Sequence, residues 1–196
     1  DISIKKSLFI FSDNGDMANA QVAYLVHHLK SGGKISQFLR ARSQLCNGSP
    51  ATENDKKNMA VSSTPCGEME SISRAADFAR TIRNHIPEIC ETRFFTDSEV
   101  CLHWVLNENI ALKPYVRARV QNFLRTEDKN SLYKVPTHLN PSDFPTKEQR
   151  DYRELAKPTS PYLQLASCFI DDNKYEAAGI IPAKGIVFSK ETEELA

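Results

Sequence analysis

The apolar and polar positions of the chain form a strand-rich opening followed by alternating helix and strand. Ser7 to Ser12 is a short apolar run, Gln21 to Leu29 is a second extended segment, and Asp13-Asn-Gly-Asp16 between them has the composition of a tight turn. Ser31-Gly-Gly33 is another turn, and Lys34 to Leu45 alternates as a third strand would. Three antiparallel strands are therefore expected first. Residues 46–64 are polar and turn-rich, which predicts a mobile loop. From about Gly67 to His85 the apolar positions Ile72, Ala75, Ala79, Ile82 and Ile86 recur every three or four residues, as on one face of a helix.

Pro87 ends that helix, and a fourth strand follows over Cys90 to Thr96. Asp97-Ser98 then caps a helix through Val100, Leu102, Trp104 and Leu106. Pro114 opens another, with Val116, Val120, Phe123 and Leu124 on its buried side, and Ser131 to Val135 is a fifth short strand. Thr137 to Pro145 reads as a loop and Thr146 to Ala156 as a charged, exposed helix; beyond Pro158 come two apolar patches, Tyr162 to Ile170 and Gly179 to Phe188. A meander followed by alternating helix and strand predicts an α/β fold, a mixed five-stranded sheet flanked by helices.

Against that pattern four carboxylates stand out. Asp13 and Asp97 close strands, Asp143 follows the fifth strand's loop, and Glu68 lies on the apolar stripe of the first helix. A carboxylate on a buried stripe is costly unless a metal ion or a basic group faces it. Glu70, two residues on, is rotated by about 200° to the other side, so Glu68 and not Glu70 points inward. Singly, each acid has a plain structural explanation: a turn residue, a helix cap, a loop turn, a first-turn acid favoured by the helix dipole. Together they form an all-oxygen set that suits Mg²⁺ or Mn²⁺, and a pair of such ions can activate water and stabilise a leaving oxygen.

Composition narrows the partners. The 196 residues carry 25 basic and 25 acidic side chains, so no global field draws in polyanions and any nucleic-acid site must be local. Arg40 and Arg42 on one face of the third strand, with Lys113, Arg117, Arg119 and Arg125 on the third helix, are the candidate phosphate contacts; a solvated helix face is the plain alternative. Trp104 reads as core and His103 as structural, whereas His138, five residues before Asp143, is a candidate for proton transfer or product release. Five scattered cysteines without a Cys-x-x-Cys pair predict reduced thiols in an intracellular, cytoplasmic protein. No apolar run reaches the ~20 residues of a membrane helix. The first methionine is Met17, as expected of a piece of something larger.

Five blocks carry a resemblance: Phe11-Ser-Asp13, Thr64-Pro-Cys-Gly-Glu68, Phe95-Thr-Asp-Ser-Glu-Val-Cys-Leu-His-Trp104, Leu112-Lys-Pro-Tyr-Val-Arg-Ala-Arg-Val120 and Val135-Pro-Thr-His-Leu-Asn-Pro-Ser-Asp143. In this order, over about residues 7–165, the chain resembles the ribonuclease H domain of BEL/Pao-type LTR retrotransposons. The resemblance implies an RNase H-like domain over residues 1–165, with 166–196 as a C-terminal extension packed on it. It also implies endonucleolytic hydrolysis of the RNA strand of RNA–DNA hybrids with two Mg²⁺ or Mn²⁺ ions held by Asp13, Glu68, Asp97 and Asp143. The setting would be a polyprotein that also contains a reverse transcriptase. Pro65-Cys-Gly-Glu68 stands where the family usually has Pro-Arg-Leu-Glu, the loop from Cys46 is long, and Lys157-Pro158 replaces a tryptophan pair, as in a divergent or domesticated copy. A silent RNase H-like module that binds nucleic acid or a protein partner is the competing expectation.

Overall fold

The computed structural model describes residues 2–15, 18–45, 64–107, 109–146, 152–158, 178–189 and positions 160, 162 and 192. The predicted loop at 46–64 lies outside them except for Thr64, as do the predicted apolar patch 162–170 except for Tyr162 and the whole of 166–177. The first three strands are β1 (Ser3–Asn14), β2 (Ala18–Leu29) and β3 (Lys34–Leu45). They form the expected meander, with β2 antiparallel to both neighbours. Gly32, at φ +85, supplies the left-handed residue in the β2–β3 turn. Helix α1 (Thr64–His85) begins three residues earlier than its periodicity suggests, because Thr64 and Pro65 suit a first turn without belonging to the apolar stripe.

Strand β4 (Ile89–Thr96) then runs parallel to β1 and completes the sheet's centre. Helix α2 (Glu99–Leu106) follows with Ser98 as its N-cap, and helix α3 (Pro114–Leu124) starts at the predicted proline. Strand β5 (Leu132–Lys134) pairs parallel with β4. The sheet has a sixth strand, β6 (Ile181–Pro182), antiparallel to β5, giving the order β3-β2-β1-β4-β5-β6. The five-strand expectation missed it because two residues carry no readable alternation. Of the predicted helix over 146–156, residues 147–151 lie outside the described residues; Thr146 belongs to helix α4 (Asp143–Thr146), and Tyr152–Ala156 is a 3₁₀ turn with Leu155 fully buried, in place of the expected exposed helix. Leu124, expected inside, is 38% exposed, since the buried positions of α3 are Val116, Val120 and Phe123. Among the described residues no helix is long and apolar enough to cross a membrane.

Strand alternation divides the core between the two sheet faces. Leu8 and Ile10 of β1 and Phe94 of β4 pack with Ile72, Ala75 and Ala79 of α1, Leu102 of α2 and Phe123 of α3. Phe9, Phe11, Tyr24 and Phe95 point the other way, toward Val135, Leu155 and Ile180. The Phe11 and Phe95 rings stack at 4.5 Å between centroids. Where β1 and β4 are buried on both faces, over Leu8–Phe11 and Phe94–Phe95, they are continuously apolar, and the carboxylates that follow stand out.

Candidate functional site

The register of β1 and β4 brings the two strand-terminal acids to the same end of the sheet. Phe11 pairs with Phe95, so two residues further on Asp13 and Asp97 emerge together, on the face of those rings by the period of two. Helix α1 is fastened to this end by Ser71, which is fully buried and whose hydroxyl lies 2.8 Å from the Asp13 carbonyl and 3.1 Å from that of Ala20. Glu68 is one helical turn earlier and faces the same end. Ser98 donates to its carboxylate and accepts from the Cys101 amide at 3.3 Å, so one hydroxyl ties the acid of α1 to the first turn of α2. Asp143 opens α4, and Thr146 at its end donates 3.1 Å to the Asp13 carboxylate.

The four acids are electrostatically coupled. Burial, then Asp97 and more weakly Asp143, push the Asp13 carboxyl up to about 6, against the lowering effect of the Thr146 bond. Glu68 is raised above its ordinary range by burial, despite the Ser98 bond, with Asp97 and Asp13 adding to the shift. Glu70 has the opposite surroundings. Tyr115, Arg74 and Arg119 surround it, with Arg119 Nε at 2.6 Å, and it is held below its ordinary value, so it serves the α1–α3 contact.

An all-oxygen set of neighbouring carboxylates has the donor chemistry of a Mg²⁺ or Mn²⁺ site, and a cation among them would offset the burial and the mutual repulsion that raise Asp13 and Glu68. Among the described residues, however, no three His, Cys, Asp or Glu side chains converge closely enough to hold a metal ion as they stand. The donor types of Asp13, Glu68, Asp97 and Asp143 suit such a cation, and these are the residues that would hold it. Beside the acids lies a cleft of about 580 Å³ lined by Glu68, Asp97, Ser98, Lys134, Pro136 and Thr137 among others. Lys134 contributes positive charge there and is paired with Glu99.

The basic candidates separate into two groups. Arg40, Lys113 and Arg117 are exposed. Arg42 is turned into the protein: it donates to Gln21 Oε1 at 2.6 Å and to the Arg74 carbonyl, and sits 4.6 Å over the Phe78 ring. Burial, with Arg74 beside it, lowers its pKa to about 10. Arg119 is committed to Glu70 and lies 3.9 Å over the Tyr115 ring. His138 is exposed in the turn Thr137–Leu139, Trp104 is buried, and the buried His103 meets Phe188 edge to face with ring centroids 4.8 Å apart.

Sequence reasoning overlooked the residues that hold the acids: Ser71, Asn140, Thr146 and Gly67. A β-carbon at Gly67 would come within 2.5 Å of the Asn14 side chain, so this glycine lets α1 approach the end of β1. Its position immediately before Glu68 was the available signal. Gly67→Ala is expected to give none of the usual ~1 kcal/mol helix gain of alanine over glycine. In an Asn14→Ala background the same change should be stabilising, a difference readable by chemical denaturation of the parent, the two single variants and the double.

No family model matches the sequence, and no curated protein does. Among solved structures the chain is similar to the N-terminal RNase H domain of Rv2228c from Mycobacterium tuberculosis, with 11% identity, TM-score 0.42, and coverage of 68% of this chain and 85% of that one. It is similar to RNase H1 from the halophilic archaeon Halobacterium salinarum at 9% identity and TM-score 0.41, covering 69% and 89%. A third is LC11-RNase H1, obtained from compost by a metagenomic approach and solved in complex with an RNA/DNA hybrid. The complex gives 11% identity and TM-score 0.41, covering 69% and 88%.

Proposed function

We propose that the chain is a ribonuclease H of retroelement type that hydrolyses the RNA strand of RNA–DNA hybrids, with Asp13, Glu68, Asp97 and Asp143 as the ligands of two Mg²⁺ or Mn²⁺ ions. The observation that carries this reading is the emergence of Asp13 and Asp97 at one end of the two central parallel strands, within electrostatic reach of Glu68 and Asp143. When bound, the ions supply charge neutralisation at the phosphodiester and a water acidic enough to deliver hydroxide. The chain's own groups orient and confine. Ser98 holds Glu68, Thr146 holds Asp13, and the aromatic layer of Phe11 and Phe95 keeps the strand ends rigid beneath the acids. Exposed Arg40, Lys113 and Arg117 are the phosphate contacts in this reading, with Arg42 and Arg119 shaping the surface from within. The sequence blocks around Asp97 and Asp143 support an origin in a BEL/Pao-type element, inside a polyprotein with a reverse transcriptase.

The test is incubation of the protein and Asp97→Asn with labelled RNA–DNA hybrid, duplex DNA and duplex RNA, in Mg²⁺, Mn²⁺ or EDTA. Metal-dependent cutting of the hybrid's RNA strand alone, reduced at least ~100-fold in the variant, is expected. Folded protein that cuts nothing in either metal rejects the proposal. One observation favours a second reading, a silent module of the same fold: the described acids do not form a ready three-ligand set.

A further inference from the structure

Asn140 is almost completely inaccessible, at 1% exposed, and both polar atoms of its side chain are engaged at the carboxylate cluster. Its Nδ2 donates 3.1 Å to the carbonyl of Ser12, the residue before Asp13, and 3.4 Å to Asp97 Oδ1. Its Oδ1 accepts from the Ser142 amide at 3.3 Å and from the Ser142 hydroxyl at 2.5 Å. Its main chain continues the pattern: the Asn140 carbonyl accepts 3.2 Å from the Asp143 amide, and its own amide donates to Thr137. One residue therefore touches the end of β1, the acid after β4 and the turn that opens α4.

We infer that Asn140 is the positioning residue that fixes Asp97 against Asp13 and Asp143, and that without it the acids lose their relative placement for metal. The inference rests on the metal-dependent reading above. An amide suits the task because it donates and accepts at once and carries no charge of its own into the acidic cluster. Its donor end steadies one carboxylate oxygen while its acceptor end is locked by Ser142, so the amide cannot rotate without leaving a buried polar atom unpaired. A residue that merely tied down a loop would need the Ser142 and main-chain bonds, not the pair reaching Ser12 and Asp97.

The test compares Asn140→Ala and Ser142→Ala with Asn122→Ala, a control that removes a similar bond, 2.9 Å to Ser73 Oγ, between α3 and α1. Mn²⁺ affinity is measured by calorimetry on the folded proteins, and hybrid cleavage is measured across Mg²⁺ concentrations. Asn140→Ala should weaken Mn²⁺ binding and raise the Mg²⁺ needed for half-maximal cleavage by about 10- to 100-fold. Ser142→Ala should do so by about fivefold, and Asn122→Ala by less than about twofold even where its melting temperature falls equally. If Asn140→Ala folds and both readouts stay within about twofold of the parent, the inference is wrong. If Asn140→Ala does not fold, an Mn²⁺ affinity of Ser142→Ala equal to the parent's overturns it. Wild-type protein that binds no Mn²⁺ overturns both the inference and the metal-dependent reading. Wild-type protein that binds Mn²⁺ but leaves hybrid intact removes only the nuclease reading, and the affinity comparison still decides for or against Asn140.

Discussion

Asp13→Asn is expected to abolish hybrid cleavage and, in EDTA at neutral pH, to make the protein more stable. Both effects have one origin. The native fold half-buries this carboxyl beside Asp97 and Asp143 and moves it from an ordinary 3.8 to about 6. A carboxyl raised on folding binds more protons in the native state than in the unfolded state, so stability falls as pH rises from about 4 to about 6 and the full cost is present above that. The difference corresponds to about 3 kcal/mol, an upper figure because solvent reaches part of the group. Asparagine keeps the shape and an oxygen for the Thr146 hydroxyl while removing the charge. Denaturation in EDTA should show the variant ahead by about 1 to 3 kcal/mol at pH 7.5, with the gap closing toward pH 4. Excess Mg²⁺ at ten times its dissociation constant should recover about 1.4 kcal/mol for the parent only. A variant that is less stable than the parent at pH 7.5 in EDTA would show that Asp13 is held by favourable bonds and is not under electrostatic strain.

The same residue shows what was legible in the sequence. Asp13 and Asp97 could be read because a fully buried strand is a continuous apolar run, and a charge at its end has no packing role to hide behind. Glu68 could be read from the helix period, which places it on the stripe of Ile72 and Ala75. Asp143 lies after a loop with no period, so its place following the fifth strand marked it only as one acid of a set, and the resemblance supplied its role. The supporting polar residues were unreadable for a different reason: Ser71, Asn140 and Thr146 act through distances set by the packed fold, and serine, asparagine and threonine are ordinary in turns and first helical turns. Arg42 fails in the reverse direction. Strand alternation assigned it a face correctly, yet only the packing of α1 shows that the face is covered, with Phe78 beneath the guanidinium. Strand β6 escaped because two residues pair by adjacency to β5 and carry no pattern of their own.

The other large effect lies away from the acids, where α1 is clamped at its far end. Arg83 donates to both carboxylate oxygens of Glu127, at 3.0 and 2.5 Å, and to the Thr92 hydroxyl at 2.9 Å. The Glu127 side chain is only 6% exposed, so its charge depends on this fork for compensation. Removing one member leaves the other stranded, and Arg83→Ala is expected to cost about 3 kcal/mol or more. Deleting both charges should cost much less: Arg83→Met with Glu127→Leu leaves no buried ion and retains apolar volume, so the double variant should recover most of the loss. Urea denaturation of the two singles and the double gives the coupling directly. A coupling below about 0.5 kcal/mol would mean that water compensates Glu127 when arginine is gone. The pair bears on the site through a single element: α1 carries Glu68 near one end and Arg83 near the other, with Ser71 fastening it to β1. Arg83→Ala should therefore also weaken metal-dependent cleavage at temperatures where it remains folded, whereas Asp13→Asn removes cleavage at every temperature.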